Sequence, residues 1–124
     1  MEGNTEEKKK VLLLVNHWRE PNQYLIKQFS DHGFEVRSVR NSQEARNSVG
    51  RDGVPDVVAM PLIPEGGLNS GLSLIGYLRE KFSSLKIIAW TNCEEVMNQA
   101  MRAGVNMIAY GNIASPDMVR IALA

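Results

Sequence analysis

The chain has one cysteine, Cys93, so no disulfide can close within it. Apolar stretches are short: the run Val11 to Val15 falls well below the length of a secretion-signal core or a membrane span. No charge of either sign is in surplus, since 14 basic residues meet 14 acidic ones. A global field steering the protein to nucleic acid or anionic membrane is therefore excluded. Internal repeats and low-complexity linkers are also lacking. These absences point to the cytoplasm, with no nucleic acid and no membrane as partner.

What is present suits one globular domain. The 124 residues are 44% hydrophobic and 23% charged, enough to bury a continuous core. The opening is polar, with Glu6 and Glu7 followed by Lys8, Lys9 and Lys10. It lacks the apolar groups that offset ordering entropy, so residues 1–9 read as a flexible leader and 10–124 as the domain.

Beyond the leader, apolar runs at Val11 to Val15, Val57 to Met60, Ile87 to Trp90 and Met107 to Tyr110 are strand-sized and lack polar alternation. A further run, Phe34 to Val39, is less apolar. Such runs fit a parallel sheet covered on both faces. The intervening segments carry helical spacing: Leu25 with Phe29, then Leu74, Ile75, Leu78 and Phe82, then Val96, Met97, Ala100 and Met101. Asn41 with Glu44 and Asn92 with Glu95 resemble capping boxes, and Ser115-Pro116 is a third helix start. Gly33 and Gly104 fall where the first and fourth helices should stop. The pattern predicts strands at about 11–16, 34–39, 56–60, 86–91 and 106–110, each followed by a helix. Right-handed crossovers then favour a flavodoxin-like, doubly wound α/β fold of order 2-1-3-4-5, with its chemistry at the carboxyl ends of the strands.

The segment "KKVLLLVNHWREPNQYLIKQFSDHGFEVRSVRNSQEA", then "PDVVAM", "GLSLIGYLREKFSSLKIIAWTN" and "AMRAGVNMIAYGN", in that order and spacing, resemble the receiver domain of bacterial two-component response regulators (the CheY-like superfamily). The resemblance runs from about Lys10 to the C-terminus. It implies a carboxylate phosphoacceptor ending the third strand and an acidic pair after the first to hold Mg²⁺. It also implies a hydroxyl after the fourth strand and a lysine after the fifth. Here the acidic pair aligns with Asn16 and His17, the acceptor with Pro61 (Met60 if the register slips), and the lysine with Gly111, followed by Asn112 in place of proline. Thr91 alone keeps its type. The expected product is a pseudo-receiver with a degenerate phosphorylation pocket at Asn16, His17, Pro61, Thr91 and Gly111. It would have no catalytic residues, no metal and no cofactor.

Two other carboxylates bear on that expectation. Asp56 lies five residues before Pro61, about 16 Å from the carboxyl edge at roughly 3.3 Å per residue, and is read as a turn residue. Glu65 lies in the right neighbourhood, on a loop without an acidic partner. That loop, 61–71, carries two prolines and three glycines and is about two residues longer than the family's. With Gly66 and Gly67 beside Asn69 and Ser70, it is either a rebuilt recognition loop, an anion cradle or a bland surface connection. His17 has no Cys, His or acidic partner at ligand spacing and reads as a packing or hydrogen-bonding residue; Cys93 reads as a small residue just inside the fourth helix, where a helix N-terminus would otherwise lower a thiol's pKa. Trp90 reads as core, and Trp18, among polar neighbours, as an interface anchor.

The leading expectation is a module that binds a protein: a kinase, an output domain or a second copy. The resemblance implies docking through the face of helix 4, strand 5 and helix 5, with Met97, Met101 and Tyr110 available if exposed. Glu65, Gly66 and Gly67 extend the candidate surface. The alternatives are a small-ligand or anion sensor using loop 61–71 and an atypically phosphorylated response regulator. A family switch that couples the strand-4 Thr to a strand-5 aromatic would need that aromatic at Ile108, two residues before Tyr110.

Overall fold

The computed structural model describes residues 9–16, 19–64, 66–111 and 115–124, without the side chains of 19–22. In order the elements are β1 Lys10–Val15, α1 Arg19–Asp31, β2 Phe34–Val39, α2 Ser42–Asp52, β3 Val57–Pro61, α3 Leu68–Lys81, β4 Lys86–Thr91, α4 Met97–Ala103, β5 Met107–Tyr110 and α5 Pro116–Leu123. A 3-10 turn, Glu94–Val96, leads into α4. All strands are parallel in the order β2-β1-β3-β4-β5, so the fold is the flavodoxin-like α/β architecture the pattern predicts.

Strand alternation builds two cores, one on each face. Leu13, Val15, Val58, Met60, Ile87 and Ala89 meet α2, α3 and α4 through Val49, Leu74, Ile75, Leu78 and Ala100. Leu12, Leu14, Val57, Ala59 and Ile88 point the other way, to Leu25 and Phe29 of α1 and Val119 of α5. Both faces of the central strands are therefore apolar, the physical reason their sequence runs lack polar residues. Trp90, read as core, is only half-buried and rests against the α1–α5 cluster.

The helix signals hold at four places, Gly33 among them at φ 92° just past the end of α1, and fail at one. Asn41 accepts the Glu44 N–H at 2.9 Å, while the Glu44 carboxylate takes the N–H of Arg40 at 2.9 Å. Ser115 accepts the Met118 N–H at 3.2 Å, and Gly104 ends α4 in the left-handed region at φ 114°. The Asn92–Glu95 box does not form. The Thr91 hydroxyl instead accepts the Cys93 N–H at 3.0 Å, and Cys93 precedes the 3-10 turn instead of lying inside a helix. Arg79, which carries no sequence signal, ties the far end together. Its guanidinium donates to Gly104 O at 2.8 and 3.0 Å, Leu85 O at 2.8 Å, Ser83 O at 2.9 Å and Asn106 Oδ1 at 2.7 Å.

Candidate functional site

Parallel strands end on one edge, and that edge gathers the aligned positions. Asn16 follows β1, is 3% exposed, and donates its N–H to Val39 O at 2.9 Å, carrying the β1–β2 pairing one residue further. Pro61 ends β3 opposite Trp90 and offers neither an N–H nor a side-chain oxygen. Thr91 ends β4, 8% exposed, with its hydroxyl engaged by Cys93. Gly111 follows β5 at φ 81° and gives its N–H to Thr91 O at 2.8 Å. His17, Trp18, Glu65 and Asn112 lie outside the described residues.

Mg²⁺ takes oxygen ligands and is usually held by carboxylates. Asn16, Pro61, Thr91 and Gly111 present an amide, a ring without a donor atom, an engaged hydroxyl and a bare backbone. These four described positions supply no carboxylate. Among the described residues, no group of three or more His, Cys, Asp and Glu side chains comes together to hold a metal. Asp56 sits at the opposite edge of the sheet, where its carboxylate accepts the Val11 N–H at 2.7 Å.

Thr91 and Tyr110 are register partners across β4 and β5. Alternation from Ile87 and Ala89 places Thr91 on the α4 side of the sheet, and Tyr110 shares that side with Ile108 two residues earlier. Ile108 packs against the core, whereas Tyr110 is 57% exposed. Met101 on α4 is 54% exposed and Met97 is half-buried. The stripe expected along α4 therefore buries only Ala100 completely and leaves Met101 in solvent. Ile121 on α5 is also exposed.

The loop after β3 is fastened down. Leu62 is fully buried among core residues of the α3 side, and its N–H donates to Trp90 O at 2.9 Å. Pro64 is buried too, while Ile63 between them is exposed. Gly67 donates its N–H to Pro64 O at 2.9 Å and Gly71 donates to Gly67 O at 3.3 Å. Gly66 and Gly67 both hold φ values near the mirror-image region, 101° and 91°, which only glycine adopts without strain. A Cβ at Gly71 would overlap the Leu62 carbonyl oxygen and come 2.9 Å from Pro64 Cδ. Ser42 and Ser70 join the starts of α2 and α3 through their hydroxyls at 2.9 Å. The sequence marked Gly66 and Gly67 but missed Leu62 as the anchor, because one apolar residue in a loop has no periodicity to betray it.

No helix among the described residues is long and apolar enough to cross a membrane. No family model and no curated protein sequence matches the chain. Solved structures do match. The receiver domain of NtrX from Brucella abortus is 19% identical, with a TM-score of 0.77 over 90% of this chain and 97% of that one. The Francisella response regulator 1452 receiver domain is 15% identical, with a TM-score of 0.76 over 90% and 93%. A two-component response regulator from Clostridium difficile is 15% identical, with a TM-score of 0.77 over 91% of each chain. In a longer NtrX structure the chain spans 27% of that protein. At such identities the likeness is one of fold, and the fold is that of the response-regulator receiver domain.

Proposed function

We propose that the chain is a non-phosphorylatable pseudo-receiver, a protein-binding module of two-component-type signal transduction and not an enzyme. The observation that carries this is the chemistry of the carboxyl edge. Asn16, Pro61 and Gly111 stand where the fold's phosphoryl chemistry needs two kinds of carboxylate and a lysine, and the nearest carboxylate on β3's approach, Asp56, is committed at the other edge. With no ligand that discriminates two states, no free energy is available to shift between them, so binding is constitutive.

The partner surface we assign is the face of α4, β5 and α5, where Met101, Tyr110 and Ile121 are exposed. A kinase, an output domain or a second copy are the occupants of choice. The anion-sensor alternative has less support, because the Gly67 and Gly71 amides already have carbonyl partners. Incubation with acetyl phosphate and Mg²⁺, read by intact mass, is expected to add no phosphoryl group. A stoichiometric adduct on any residue overturns the reading in favour of an atypically phosphorylated regulator.

A further inference from the structure

At the amino edge of the sheet, opposite the degenerate pocket, β1, β2, the end of α1 and the end of α5 enclose an open depression of about 280 Å³. Its floor is apolar, from buried Phe34 and half-buried Leu123, and its rim carries Lys10, His32 and Arg120. The register explains the grouping. Lys10 pairs with Phe34, and both stand on the face that α5 covers, as Leu12 and Leu14 show by alternation.

We infer that this depression docks an acidic segment of a partner protein, with one apolar side chain of that segment seated on Phe34 and Leu123. Size and charge decide between occupants. The volume lies just under the range of about 300–1,000 Å³ typical of small-molecule and cofactor sites, and it is open, so it suits a single anchoring side chain. Among the described residues no acidic side chain lines it. Asp117 approaches from outside and is turned to Arg120 at 3.4 Å. Arg120 is loosely held, since its bond to His32 O is also 3.4 Å long, so it can reorganise onto a carboxylate. The His32 ring is held against Gln28 O through Nδ1 at 2.8 Å, which fixes it at the rim. Arg and an aromatic floor are the chemistry of a binding anchor, and cations at the rim add attraction and orientation.

This inference rests on the binding-module reading but uses a different edge, so the two fail separately. The test is fluorescence anisotropy with a labelled octapeptide, Gly-Glu-Asp-Leu-Phe-Asp-Glu-Gly, against the whole chain at low salt. Saturable binding is expected, weakening as salt screens the rim and falling about tenfold or more in the double variant Lys10→Glu, Arg120→Glu, a loss of roughly 1.4 kcal/mol. Circular dichroism establishes that the variant is folded, and Arg120→Gln serves in its place if it is not. Met101→Glu, on the other surface, should leave this binding unchanged. Absence of saturable binding, equal binding of the same peptide with lysines for its acids, or indifference to the charge reversal each overturns the proposal. Equal binding of the peptide with serines for Leu-Phe also overturns it, leaving only a diffuse cationic edge.

Discussion

Asp56 and Val11 clasp each other across the entrance of the sheet: the Asp56 carboxylate accepts the Val11 N–H at 2.7 Å and the Asp56 N–H donates to Val11 O at 2.9 Å. The side chain thus does for the first residues of β1 what a neighbouring strand does further on. Replacing Asp56 by Ala strips a partly buried N–H of a charged acceptor and is expected to cost about 1–3 kcal/mol in urea unfolding. Asp56→Asn keeps an acceptor and should cost less. An Asp56→Ala protein as stable as the parent refutes the clasp.

Gly71 and Gly76 lie in the same helix and should respond oppositely to alanine. At Gly71 a Cβ meets the Leu62 carbonyl, and the fastened loop has nowhere to retreat. A loss of roughly 2 kcal/mol or more is expected there, of the kind overpacking produces. At Gly76 nothing lies within 4 Å, and removing a helix-interior glycine should stabilise by about 0.5–1 kcal/mol. Paired denaturation curves decide, and equal effects at the two sites contradict the assignment of Leu62 and Pro64 as anchors.

Arg79 draws α3, the α4–β5 turn and the segment before β4 into one knot. Asn106 Oδ1 accepts from the guanidinium at 2.7 Å and from the Ile87 N–H at 2.8 Å. Arg79→Ala should therefore destabilise by about 2–4 kcal/mol, since several carbonyls lose a charged donor together. Lysine should not rescue it, because a point charge cannot reproduce the planar fork. Full rescue by Arg79→Lys would show that only charge matters.

Arg51 holds the neighbouring Asp52 carboxyl below the ordinary carboxylate range, chiefly through the hydrogen bond between them. A depressed folded-state value means stability that is present above the unfolded value and lost as pH falls through the folded one. Both groups are exposed to solvent, so the effect is small and screened by salt. Acid titration of stability at low ionic strength should show a slightly shallower acid limb in Asp52→Asn, with the difference reduced in high salt as the coulombic part is screened. A steeper acid limb in Asp52→Asn contradicts the pairing.

Much of this was legible in one dimension. Runs such as Val57 to Met60 lack polar alternation because both faces of a central parallel strand are covered, and that physical constraint is written residue by residue. The cap at Asn41 and the stop at Gly104 are equally local, since each depends on a side chain or a φ value within a turn. The Asn92–Glu95 box was legible too, yet wrong: after β4 the chain winds first into the 3-10 turn Glu94–Val96 with Cys93 before it, its N–H held by the Thr91 hydroxyl, and that path depends on the strand end that places Thr91 there.

Residue type and local period were enough for the order of elements; the strand order needed the right-handed crossover rule as well, and the amide at Asn16 and ring at Pro61 became telling only once the family resemblance aligned them. Tertiary structure alone decided that Leu62 plunges into the core while Ile63 faces solvent, that Met101 and Tyr110 stand exposed, and that Lys10, His32 and Arg120 share one rim. Residues 10, 32 and 120 have no common period. They meet because a parallel strand begins, a helix ends and the last helix runs back at the same edge of the sheet, and only the closing of the fold brings those three points together.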